Sequence, residues 1–259
     1  MALAESKGLI LFTRNHKEQD MLVKIFTESA GKQMFYVKGI HRKNHPLKSA
    51  VQPFTEAIYI GTFNTENLSF LNSAKAIHPF SNIQQDIFMS AYATYLLNLA
   101  DAAIEDRIYD PNLYHFLREA IFLIDQGYDA EIITNIFEIQ ILQRFGVIFN
   151  WQQCAVCGKR NSRYYFSAKY HGLLCEEHVG LDDKHYPVHP KIMYLVMQLA
   201  NVHYEQLNQL SLKPETKQAL RAFIDFLYEE YVGIHLKSKK FIDQMKNWQG
   251  ILSANPPTE

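Results

Sequence analysis

The sequence predicts a multidomain α+β protein: a small five-stranded barrel, then a mostly α-helical domain with an inserted pair of metal-binding knuckles. Three observations carry this. Residues 1–80 are short β-rich runs separated by turn residues. Residues 81–252 hold apolar residues at helical spacing. Every cysteine lies in one window, "CAVCGKRNSRYYFSAKYHGLLCEEH", from Cys154 to His178. The expected domains are 1–80 and 81–252, with the metal site at 151–180 and a flexible tail at 253–259.

Five runs rich in Ile, Val, Phe, Tyr and Thr supply the strands: "LILFTRN", "MLVKIFTE", "QMFYVKGI", "TEAIYIGTF" and "LSFLNSAKAI". Breaks fall at Ser29 to Gly31, at the polar stretch His41 to Ser49, and at Asn64 to Asn67. The two-residue period puts Phe35 and Val37 on a buried face, with Tyr36 and Lys38 on an exposed one.

Pro79 and Ser81 mark the change to helices. Ser81 and Gln84 have the spacing of a capping box for a helix through "DIFMSAYATYLLNLADAAIED". Asp110 and Pro111 suit the start of the next helix and Gly127 its end. Asp129 is placed to cap "AEIITNIFEIQILQRF", with Gly146 as its stop. Pro190 opens "KIMYLVMQLA", and Pro214 opens "ETKQALRAFIDFLYEEYVGIHL". The apolar stripes read as core.

The cysteine window reads C-x2-C, 17 residues, then C-x2-H. The first tight turn brings two thiolates together, the second a thiolate and an imidazole, and zinc accepts sulfur and imidazole nitrogen together in a tetrahedron. The ligands are Cys154, Cys157, Cys175 and His178. His171, His185 and His189 compete for the fourth place but lack the spacing. Four protein ligands leave no open position, so the expected zinc is structural. His16-Lys17-Glu18 resembles half of a deaminase motif, but Gln153 stands where that motif has proline. No H-E-x-x-H or phosphate-binding P-loop is present. The expected protein is not an enzyme.

The formal charge is -1, so the total gives no sign of nucleic-acid binding, and local charge must be read separately. "KGIHRKNHPLKS" has Lys38, Arg42, Lys43 and Lys48 and no acid. Such a loop beside a sheet with an exposed aromatic suits single-stranded nucleic acid, cations tracking phosphates and rings stacking on bases. Arg14 and Lys17 extend that surface. Tyr36 is the first stacking candidate and Tyr59 the second. A second stretch, "HLKSKKF", holds Lys237, Lys239 and Lys240, which read as complementing the end of a long helix. No apolar run approaches the ~18 residues of a membrane span. The start lacks a signal-peptide pattern. The odd cysteine count argues for a reducing, cytoplasmic setting.

In order, "YVKGIHRKNHPLKSAVQPF", "CAVCG…LLCEEH" and "HLKSKKFIDQM" resemble the RecO family of bacterial recombination mediators over nearly the whole chain. The resemblance implies an N-terminal OB-fold and a helical domain carrying the zinc. It implies binding of single- and double-stranded DNA and annealing of complementary strands. It also implies a complex with RecR, and help to RecA in displacing single-strand DNA-binding protein (SSB). Lys38, Arg42, Lys43 and Lys48 stand where the family's basic surface lies. The fourth metal ligand varies between Cys and His in the family, and some members lack the cysteines. The family also contacts the acidic C-terminal tail of SSB, for which Lys237, Lys239 and Lys240 are candidates. A zinc-ribbon scaffold or an RNA-binding module is the alternative.

Overall fold

The computed structural model of the protein describes residues 3–207 and 211–254. Five strands, β1 (Leu3–His16), β2 (Asp20–Thr27), β3 (Gly31–Val37), β4 (Thr55–Thr62) and β5 (Ser69–Pro79), close into a barrel in the order β1-β2-β3-β5-β4. Only the β3–β5 pairing is parallel. Inward residues such as Ile10, Val23, Ile25, Phe35 and Val37 form the barrel core. Lys38 is exposed, as the alternation predicts, whereas Tyr36, expected to be exposed, is half-buried with its hydroxyl on Asp20. Gly61 is required where β4 meets β5: a Cβ there would lie 2.1 Å from the carbonyl oxygen of Phe70.

The connection from β3 to β4 is not the plain polar loop expected. Ile40, Leu47, Ala50 and Val51 are buried with the barrel core, while Arg42, Lys43 and Lys48 are exposed. Its apolar residues anchor it and its cations stay in water. Tyr59 is also corrected. Its side chain is fully buried, and its hydroxyl donates to the Ala50 carbonyl at 2.7 Å. It serves packing and cannot stack on a ligand.

The helices that follow are α1 (Ser81–Gln85), α2 (Ile87–Ala103), α3 (Pro111–Asp125) and α4 (Ala130–Ile141). The expected capping box does not form, since Ser81 is already inside α1. Instead the Asp125 carboxylate accepts from the Asn82 and Ile83 amides at 3.0 and 3.1 Å. A residue distant in sequence does the work of a local cap. Asp86 caps α2 by accepting from the Phe88 and Met89 amides. Asp110 caps α3 as expected, with Pro111 in its first turn. Gly127 and Gly146 adopt left-handed conformations past their helices. The end of α2 is joined to the barrel by charge. Lys24 reaches Asp101 at 2.7 Å and Asp106 at 2.9 Å, and the buried Lys32 reaches Asp101 at 2.9 Å.

Next come β6 (Asn150–Cys154), β7 (Tyr164–Ser167) and β8 (Gly172–Cys175), in the order β6-β8-β7. Helices α5 (Pro190–Asn201), α6 (Pro214–Leu227) and α7 (Lys237–Ala254) complete the chain. The helix expected to run to Leu236 ends earlier. A π turn covers Tyr228–Val232, and Gly233 stops it at φ +68°. The three lysines therefore open α7 rather than close α6, and the dipole reading is overturned.

The described residues form two compact units. One holds the barrel, α1–α3 and α7. The other is Glu131–Ile234, with the three-stranded sheet, α5 and α6. Residues 255–259 of the expected tail lie outside the described residues; α7 continues to Ala254.

Candidate metal centre and nucleic-acid interface

The three-stranded sheet builds the metal centre. Cys154 ends β6, and the chain turns so that the Gly158 amide donates to the Cys154 carbonyl at 2.9 Å. Gly158 takes φ +72°, the left-handed position of a knuckle. Cys175 ends β8, and the His178 amide donates to the Cys175 carbonyl at 2.9 Å. The two turns bring Cys154, Cys157, Cys175 and His178 together, with all four donor atoms within 4.8 Å of one another.

The donor set fits a tetrahedral ion. Metal–sulfur bonds of ~2.3 Å place two sulfurs ~3.8 Å apart in a tetrahedron. Cys157 Sγ and Cys175 Sγ are 3.8 Å apart, and Cys154 Sγ lies 3.8 Å from His178 Nδ1. Burial opposes ionisation of Cys154, but backbone amides of Cys157, Cys175 and Val156 outweigh it and draw its pKa down to about 6. Burial raises Cys175, so a metal ion held here would supply the charge that favours its thiolate. Two of the competing histidines are engaged elsewhere. His189 accepts from the Lys191 amide at 3.2 Å, and His185 Nδ1 meets the Asp182 carbonyl at 2.9 Å.

The surroundings brace the cluster. Lys159 after the first knuckle pairs with Glu177 in the second at 2.8 Å. Below, Trp151 stacks on the fully buried Phe166 at 5.7 Å, and Phe166 meets Phe223 of α6 edge-on at 5.3 Å. The centre is thus welded to a helix through aromatic packing.

The other predicted site lies at one end of the barrel. Asp20, at the start of β2, accepts from the Tyr36 hydroxyl and from the Gly39 amide, the latter at 2.7 Å. The Tyr36 bond and then the Gly39 bond hold the Asp20 carboxyl below its usual range, and the same Asp20 contact raises the Tyr36 phenol. The His41 amide donates to the Gln19 carbonyl at 3.3 Å. One carboxylate thus ties the root of the basic loop to both Tyr36 and the β1–β2 turn. Lys17 sits in that turn at φ +56°. Arg14, Lys17, Lys38, Arg42, Lys43 and Lys48 are all exposed.

The lysines of the third predicted site are spread around the start of α7. Lys237 lines a groove of about 410 Å³ with Ile87, Thr94, Asn98, Ser238 and Phe241. Lys239 pairs with Asp243 at 2.7 Å, and Lys240 is exposed. The groove was not legible in the sequence, because Ile87 and Phe241 read as ordinary helical core. No described helix is long and apolar enough to cross a membrane.

Fold and site define a class: a closed five-stranded barrel with an exposed cationic loop, followed by a mostly helical region whose three-stranded sheet carries a Cys3His cluster suited to a metal ion. Residues 1–80 match the family model of the recombination protein O N terminal, and residues 84–240 that of its C terminal. The chain is 56% identical over 256 residues to the DNA repair protein RecO of Enterococcus faecalis (strain ATCC 700802 / V583), covering 99% of this chain and 98% of that one. It is 47% identical to the protein of the same name from Streptococcus suis (strain 05ZYH33), covering 100% and 99%. With that of Lactococcus lactis subsp. lactis (strain IL1403) it shares 46% over 96% and 98% of the two chains. The chain belongs to the RecO family of DNA repair proteins.

Proposed function

We propose that this protein is a DNA repair and recombination mediator that binds single- and double-stranded DNA through its barrel and anneals complementary strands. With RecR it assists RecA in loading onto SSB-coated single strands. The observation that carries the reading is the exposed basic loop rooted beside Tyr36 by Asp20. Family membership and the strand order β1-β2-β3-β5-β4 support an OB-fold. The protein works by binding energy, not catalysis, and acts in the bacterial cytoplasm at the nucleoid. The metal is zinc in a structural role, since thiolates and imidazole are its preferred donors and four of them close its shell.

The acidic SSB tail docks at the start of α7. Lysines at a helix N-terminus oppose the dipole, and a broken local rule is expected at functional sites. Lys237 stands at the edge of an apolar groove, where its cation suits a carboxylate of that acidic tail.

The test is annealing of two complementary strands precoated with SSB. Faster annealing with the protein, weakened by salt, is expected. Folded, metal-loaded protein that does not anneal would favour a scaffold role. A companion prediction concerns the loop. Arg42→Ala with Lys43→Ala is expected to weaken binding and to flatten the slope of log K against log salt by about 1.4 on single strands, from ~0.7 per lost phosphate contact. An unchanged slope would remove the loop from the interface.

A further inference from the structure

Strand register puts four outward residues of the barrel in one transverse row. Arg14 faces Leu22 across β1–β2, Leu22 faces Tyr36 across β2–β3, and Tyr36 faces Phe70 across β3–β5. Residues directly opposite in a sheet share a face. The neighbours Phe35 and Val37 of β3 belong to the barrel core, so this row lies on the outside.

Along the row, exposure differs sharply. Leu22 is nearly buried at 9%, whereas Phe70 is 47% exposed. Tyr36 lies between. Its hydroxyl is held by Asp20, and its ring is flanked edge-on by His16 at 6.0 Å and by Phe70 at 5.9 Å. Phe70 is therefore the ring with the most open surface, and Tyr36 is the fixed support beside it. Its backbone is held too, because Gly61 lets β4 approach the Phe70 carbonyl closely. A half-exposed phenylalanine has no polar atom to gain from water. Here it stands in one row with Arg14, and its neighbour Tyr36 is tied to the root of the basic loop.

We infer that Phe70 is a base-stacking platform that lets this barrel discriminate single-stranded from double-stranded nucleic acid. The inference rests on the proposed nucleic-acid reading of the barrel and adds the residue that sets strand preference. An unpaired base offers a free π-face to the ring while the cations of Arg14, Lys38 and Arg42 take the flanking phosphates. In a duplex the faces are already stacked, so only the phosphate contacts remain. The basic loop then serves both substrates and Phe70 serves one.

The experiment measures binding of the full-length protein to a labelled single strand and to a duplex of equal length. Wild type is compared with Phe70→Ala, Phe70→Leu and Phe70→Trp. Phe70→Leu keeps the apolar bulk and guards against a folding defect. Phe70→Ala and Phe70→Leu are expected to lose about fivefold or more of single-strand affinity, with duplex affinity unchanged and Phe70→Trp binding as wild type. Wild-type single-strand affinity in Phe70→Leu, or an equal loss on both substrates, would overturn the inference alone. Failure of the wild-type protein to bind either substrate would overturn the nucleic-acid reading beneath it.

Discussion

Cys175→Ser is expected to abolish metal binding and to unfold the three-stranded sheet around the site. Cys175 is fully buried and ends β8, the central strand. Its sulfur lies 3.8 Å from Cys157 Sγ and 3.1 Å from His178 Nδ1. A serine oxygen there is a poorer zinc donor on a shorter bond, and the remaining three ligands cannot close the shell. Structural zinc contributes an apparent ~10–16 kcal/mol in small finger peptides, far more than one domain's usual margin. Metal analysis of the purified protein is expected to fall from about one zinc per chain to none. Chelation of the wild type should reproduce the loss of thermal stability. Full zinc content in Cys175→Ser would show that the cluster is not closed by this residue. Cys157→Ser should also lose the metal, but at an exposed position it disturbs the packing of the sheet less.

Arg221→Ala is expected to cost about 3–5 kcal/mol, because it leaves a buried carboxylate without its countercharge. Glu138 of α4 is fully buried. Arg221 of α6 donates to both of its oxygens, to Oε1 at 3.1 Å, and to the side-chain oxygens of Asn135 at 3.2 Å and Asp225 at 2.9 Å. Lysine cannot make this forked contact, so Arg221→Lys should recover only part of the loss. Glu138→Leu combined with Arg221→Met should recover most of it, since both charges are then gone. Urea unfolding reads these differences directly. A loss below 1 kcal/mol for Arg221→Ala would mean that water reaches Glu138.

The metal site was legible because its chemistry demands fixed residue types at fixed spacing, and local turns do the positioning. The barrel strands were legible from their period. Tyr59 was not. In "AIYIG" both phases are apolar, so the period alone does not say which face is inside; Tyr59 packs inward while Ile58 and Ile60 are half-buried. Phe70 was missed for the reverse reason. A phenylalanine in a strand reads as core until the register across β3 and β5 places it outside. The first helix's cap comes from Asp125, which only tertiary packing brings near. The start of α7 was misplaced because "YEEYVGIHLKSKKF" is uniformly helix-compatible except at Gly233, and one glycine inside a helical pattern is often tolerated.

Helix α7 belongs with the barrel and α2, where the Ser238 hydroxyl donates to Asn98 Oδ1 at 3.0 Å, yet 104 residues of the other unit, Glu131–Ile234, separate it from α3 and its neighbours. On the ribosome, the unit that emerges first is therefore the one that finishes last. Its groove beside Lys237 stays without one wall until the final helix leaves the exit tunnel, so a chain stalled or clipped after Ile234 should already hold its metal module but not the complete groove. Proteolysis within the last helix should damage a site built mostly from residues synthesised some 140 positions earlier.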